Sequence, residues 1–224
     1  PLSRGGITMT TAATIDDEPY FTVQSALNSA NDNDIISVQA GTWTGEGNRG
    51  ITWPNTDGIT LQGVSSVDTV LDAEQATRHI LISHNISLTL KNISLVNGKV
   101  VTENAGLYNS RGGSMLFLTK DASVTLDSVI ISGNSAAIGG AIKHYWNAGG
   151  GLRAINSMFI GNTAYDNHGG VVDSGRHVFV NCIFERNKAF GSHAIAAYIS
   201  DGSRIENSII RNNSATGGGM FLGM

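Results

Sequence analysis

The chain has 224 residues and a formal net charge of −4, long enough to bury a sizeable core in one large or two small domains. Charged residues make up 14% against the roughly 25% usual in globular proteins, and the 28 glycines exceed the usual share of about 7%; the surface is therefore expected to be Asn, Ser, Thr and Gly. This balance gives no electrostatic reason to expect a nucleic acid or an anionic membrane as partner, and no run approaches the roughly 18 apolar residues of a membrane span.

Taken in chain order, the first predicted element is a short helix. Val23, Ala26, Leu27 and Ala30 share one face, and a solenoid needs such a cap over its first coil. Residues 1–34 are assigned to an N-terminal segment with this capping helix, and residues 35–224 to coils. DIISVQAGTW, GITLQG and TVLDA read as strands of the first coils. Asp16-Asp17 and Asn55-Thr56-Asp57 read as turn residues.

From about residue 85 the sequence repeats. Asn134-Ser135-Ala136, Asn162-Thr163-Ala164, Asn187-Lys188-Ala189 and Asn213-Ser214-Ala215 follow one another at steps of 28, 25 and 26 residues. Three residues before each Asn stands a large apolar residue: Ile131, Phe159, Phe184, Ile210. A weaker copy at NISLVNG puts Leu95 in that slot and Gly98 in place of Asn. Each unit is too short to bury its own apolar face and carries no helical pattern, so stacked units of short strands are the remaining solution. The fold class expected is all-β, a right-handed parallel β-helix. In it Phe159 and Phe184 fill the core, and the Asn residues turn the chain, through a left-handed backbone where needed, and join in an amide ladder. Ala136, Ala164 and Ala189 fit inside the bend, and Gly139-Gly140 and Gly169-Gly170 permit a second turn. The step from Leu95 to Ile131 is 36 residues, and its extra length near Lys99–Gly113 is expected to protrude as a loop. Cys182, the only cysteine, reads as a small buried residue rather than a nucleophile. The chain stops at GGGMFLGM, where another coil is due, so the natural protein is expected to continue or a partner to cover this end.

Phe-x-x-Asn with Gly-Gly-Ala-Ile resembles the repeat signature of the polymorphic outer membrane proteins of chlamydiae and their bacterial relatives. Phe159–Asn162 and Phe184–Asn187 match its first element and Gly139–Ile142 its second, over roughly Asn85 to Met224. Upstream, TVQSALNSANDNDIISVQAGTWTGE is similar to the opening of pectin-lyase-like right-handed β-helices. The resemblance implies the fold; the superfamily includes adhesins, autotransporter passengers, lyases, glycosidases and esterases, so function stays open.

Candidate chemistry clusters after the Gly-Gly turns. Lys143, His168 and Asp173 are the set an acidic-polysaccharide lyase or hydrolase would use, with Ca²⁺ as a possible cofactor of a lyase; otherwise no cofactor and no metal is expected. Tyr145 and Trp146 are candidates for stacking on a sugar ring or anchoring a protein partner. His144, His168 and His193 fall one coil apart, with only His168 and His193 in register relative to the repeat Asn. Glu185 and Arg211 align on neighbouring coils and are expected to pair. The favoured expectation is a non-enzymatic extracellular or cell-surface β-helix, part of a larger adhesin-like or structural protein, with a polysaccharide, a surface protein or end-to-end copies as partners. The alternatives are a carbohydrate-active enzyme and a self-assembling filament subunit.

Overall fold

The computed structural model of the protein describes residues 2–4, 7–100, 110–144, 150–166, 169–191, 193, 195–199, 202–217 and 221–223. It is a nearly all-β solenoid of about six turns, a parallel β-helix, with one helix. Three parallel sheets run along it. The first face begins with Ile35–Val38 and Ile59–Gly63 and continues through Ser87–Lys91, Ser123–Asp127 and Gly151–Ile155. The second carries Gly41–Trp43, Thr69–Asp72, Ser94–Val96, Ile130–Ser132, Met158–Ile160, Ile183–Glu185 and Ile209–Arg211. The third carries Ile51–Thr52, Ile80–Ile82, Met115–Phe117 and Ile142–Lys143. Val172–Val180 serves the third face with its first residues and the first face with its last. A narrow fourth ladder joins Ser135–Ala136, Thr163–Ala164, Lys188–Ala189 and Ser214–Ala215.

Parallel register stacks like on like. On the second face Trp43, Leu71, Leu95, Ile131, Phe159, Phe184 and Ile210 form one column. Its members from Leu71 to Phe184 are wholly buried. Phe159 and Phe184 stack with centroids 5.1 Å apart and planes 8° from parallel, and Phe179 meets both edge-on. Period-2 alternation supplies the other inward columns, such as Leu61, Leu90, Leu126, Ala154 and Phe179. Cys182 is buried, and burial pushes its thiol up, away from the reactive thiolate.

The expected amide ladder is present. Asn134 Nδ2 donates to Asn162 Oδ1 at 3.0 Å, Asn162 to Asn187 at 3.0 Å, and Asn187 to Asn213 at 2.9 Å. The same oxygens accept the backbone N–H of the preceding Asn. Each Nδ2 also donates to the carbonyl of the apolar slot residue one coil back: Leu95, Ile131, Phe159 and Phe184.

The backbone role assigned to these Asn residues is corrected. The left-handed position is the residue before each one, Gly133, Gly161, Arg186 and Asn212, together with Asn97 before Gly98, at φ between 54° and 65°. In the five coils from Ser94–Val96 to Ile209–Arg211 a second left-handed residue precedes the second-face strand, at Asn92, Ser128, Asn156, Asn181 and Asn207. The ladder Asn itself cannot be spared for turning, because its side chain must point inward to reach the stacked carbonyls. The glycine turns are as expected: Gly139 and Gly169 have φ of 63° and 54°, and a Cβ on Gly139 would lie 2.3 Å from the Ile142 carbonyl oxygen.

The N-terminal end is closed. Helix α1 (Val23–Ser29) starts with a capping box between Thr22 and Ser25 and buries Val23, Ala26 and Leu27. The Gln24 side chain pairs with both backbone groups of Thr52 at 2.8 and 3.0 Å, finishing the open edge of the third face. Ala13–Ile15 covers the edge of the first face antiparallel to Ile35–Val38. That strand and Glu18–Tyr20 form a hairpin whose two loop residues, Asp16 and Asp17, both have positive φ. The expected protrusion lies mostly at residues 101–109, outside the described residues. At its flanks Lys99 and Arg111 bridge back to Ser135 and Ile138.

Replacing Asn162 by Ala strips partners from the buried amides and carbonyls on both sides. It is expected to cost about 3 kcal/mol in urea unfolding, whereas Asn213→Ala, at the half-buried end of the ladder, should cost clearly less.

Candidate functional site

The chemistry-bearing residues converge where the third face meets the corner Ser174–Gly175. On this face Ile142 and Val172 point into the core, and Leu116, Lys143 and Asp173 form the alternate column. Lys143 and Asp173 are direct cross-strand neighbours, 5% and 1% exposed. Lys143 Nζ touches Asp173 Oδ2 and donates to Ser174 Oγ at 2.8 Å; Ser174 Oγ donates to Asp173 Oδ2 at 3.2 Å. Ser174 reaches them because the chain passes straight from the third face to the first here, through φ values of 61° and 100° at Ser174 and Gly175. A Cβ on Gly175 would stand 3.1 Å from the His144 ring. Burial lowers the Lys143 ammonium from its usual range; the Asp173 carboxylate opposes the shift and the nearby Arg111 charge adds to it.

Two histidines lie behind this cluster, inside the solenoid. His144 is fully buried against Phe117, ring centroids 4.5 Å apart, and His177 meets it edge-on at 6.4 Å. His177 occupies an inward column otherwise made of Ile59, Leu88, Val124 and Leu152. Its Nε2–H donates to the Ser174 carbonyl at 2.7 Å, and its Nδ1 has no hydrogen-bond partner among the described residues. Desolvation, with the His144 charge second, takes its pKa to about 3.

His79 is a buried site that the repeat pattern does not flag. Its Nε2–H is shared between the Leu71 and Val96 carbonyls, each at 3.0 Å, and its Nδ1 accepts from the Ser114 hydroxyl at 3.2 Å. Leu71 is the apolar slot residue whose carbonyl a ladder Asn at position 98 would bind. Position 98 is glycine, and a Cβ there would lie 2.1 Å from the Gly113 carbonyl oxygen. The histidine, immediately before the strand Ile80–Ile82, reaches the orphaned carbonyl and ends the ladder. Desolvation lowers its pKa to about 4. The one legible signal was the break in the repeat at Gly98.

Of the proposed enzyme set, Lys143 and Asp173 are brought together, but as a buried contact rather than across a groove. His168, with Tyr145 and Trp146, lies outside the described residues. The histidine column is corrected at its described members: His144 is buried in the interior, and the Gly170 N–H to His193 carbonyl bond at 3.0 Å sets His193 opposite Gly169. Among the described residues no group of three or more His, Cys, Asp or Glu is placed to hold a metal ion. Asp57 works as a turn residue, accepting from Ser87 N at 2.6 Å. Arg211 reaches Glu185 at 2.7 Å, as the alignment predicted, and holds that carboxyl below its usual range. A surface hollow of about 370 Å³ lies at the capped end between Gln24, Asn28, Glu46 and Arg49; Arg49 is tied there to Glu74. Beyond the β-helix class, comparison adds nothing: no family model, no curated protein and no solved structure matches the chain.

Two measurements test these environments. Asp173→Ala strands a buried ammonium, so the volume-matched pair Lys143→Met with Asp173→Leu, which buries no charge, is expected to be more stable than Asp173→Ala by about 3 kcal/mol in urea unfolding. The second is pH. Both His79 and His177 titrate lower in the fold than the roughly 6.5 of the unfolded chain, so the unfolded state takes up protons first as pH falls. Their stabilisation is complete above about pH 6.5 and is lost on acidification towards about 4 for His79 and about 3 for His177. Urea stability should drop by about 4 kcal/mol between pH 7 and pH 5, and His177→Leu should remove about half of that drop.

Proposed function

We propose that the chain is a non-enzymatic β-helix scaffold, a segment of an extracellular or cell-surface protein of adhesin-like or structural kind. The observation that carries this reading is where the polar motif residues spend their hydrogen bonds. The Asn134, Asn162 and Asn187 amides face inward and bind one another, Asn213 and the stacked backbone. The basic residue that a lyase would need to reach a sugar α-proton, Lys143, is 5% exposed and held by Asp173 and Ser174. A long stack of coils with Asn, Ser, Thr and Gly between them offers a rigid rod with a low-charge surface, suited to display rather than turnover.

Tyr145 and Trp146 remain the residues proposed to meet a polysaccharide or a surface protein, since aromatic rings bind sugar faces without a catalytic centre. The test is a panel of neutral and acidic polysaccharides, with and without Ca²⁺, scored for retention and for release of unsaturated or reducing ends. The expected outcome is retention or no interaction, with no product; retention should fall at least tenfold in Tyr145→Ala/Trp146→Ala. Product that disappears in Asp173→Asn would replace the scaffold by a carbohydrate-active enzyme.

A further inference from the structure

We propose that Lys143 and Asp173 condense to an intramolecular amide between Nζ and Cγ, a covalent tie between two successive coils. The inference is independent of what the outer surface binds and starts from the geometry of the pair. The two residues are opposite one another in a fixed parallel register. Their side chains are 7% and 2% exposed, and Nζ already touches the carboxyl group.

Three features favour reaction over a lasting ion pair. First, two opposite charges kept out of water carry a desolvation penalty that a neutral amide does not. Transfer of one proton from Nζ to Oδ2 along their existing contact gives a neutral amine beside a carboxylic acid, which is the reactive combination. The lowered basicity of Lys143, from burial and the Arg111 charge, works in that direction. Second, the reacting atoms are held together by the fold, and well-oriented intramolecular pairs reach effective molarities of about 10⁵–10⁸ M. That is enough to overcome the usual reluctance of an amine and an acid to condense.

Third, Ser174 is placed as a proton relay. Its Oγ accepts from Nζ at 2.8 Å and donates to Oδ2 at 3.2 Å. As the nitrogen lone pair adds to Cγ, the proton it sheds passes to Ser174 Oγ, and the Ser174 hydroxyl proton passes to Oδ2. The Cγ–Oδ2 bond then breaks and Oδ2 leaves as water. The atoms balance: one amine and one carboxylic acid give one amide and one water, with no oxidant or reductant. Oδ1, which accepts no hydrogen bond from the described residues, becomes the amide oxygen. The product joins the coil of Ile142–Lys143 to that of Val172–Val180 at the point where the third face turns into the first.

The experiment is intact-mass spectrometry of the folded, purified chain after denaturation, followed by proteolysis and tandem sequencing. The expected result is a mass lower than the sequence mass by one water, with a branched peptide joining the segments that contain Lys143 and Asp173. Lys143→Arg should restore the full mass. Ser174→Ala should slow the reaction, so that fresh protein is a mixture that converts on standing. Wild-type protein that keeps its full sequence mass, with its β-sheet circular dichroism intact, overturns the proposal. Water loss that persists in Lys143→Arg overturns it as well, by placing the dehydration elsewhere.

Discussion

Each coil of this protein must turn sharply several times, and every turn threatens to leave a carbonyl or an amide buried without a partner. The stack of Asn side chains answers that constraint. One amide oxygen serves two N–H donors of the coil before, and one amide nitrogen serves both the next Asn and the slot carbonyl one coil back. A polar group buried alone in such a place would cost about 1–3 kcal/mol, and the ladder meets that demand at each repeat with one side chain. The aromatic column beside it depends on the same register, because Phe159 and Phe184 can stack only if the coils above and below hold step.

The ends of the ladder show the constraint from the other side. At Gly98 the Gly113 carbonyl stands too close for any side chain, and His79, just before the strand Ile80–Ile82, takes over the bond to the Leu71 carbonyl. The substitution changes the chemistry of the position. An Asn amide is indifferent to pH, whereas a buried imidazole is stable only while neutral, so closing the ladder with histidine makes this corner sensitive to acid. His177 adds the same sensitivity in a column that is otherwise aliphatic.

The corner at Ser174–Gly175 is where architecture and chemistry meet. Elsewhere the third and first faces are joined by separate strands, but here one strand serves both through two consecutive left-handed residues. That shortcut brings a serine hydroxyl onto a buried lysine–aspartate contact and sets two imidazoles behind it. Grouping of this kind resembles an active site in composition. Its burial sets it apart from an open cleft, since the lysine, aspartate and serine bind one another.

The repeat could be read from the chain because parallel stacking sets like residues one coil apart, so a bond that recurs in space recurs in sequence at intervals near 25 residues. The apolar slot, the ladder Asn, the small Ala and the Gly turns were legible on that account, as were the capping helix and the Glu185–Arg211 pair. What was not legible depended on direction rather than spacing. Whether an Asn bends the backbone or points inward, whether a Lys next to a Gly-Gly turn is exposed, and whether three histidines share a column are decided by strand register and by what covers each face. His79 lay hidden for the same reason: the carbonyl it binds belongs to an earlier strand, and only the folded coil brings the two together.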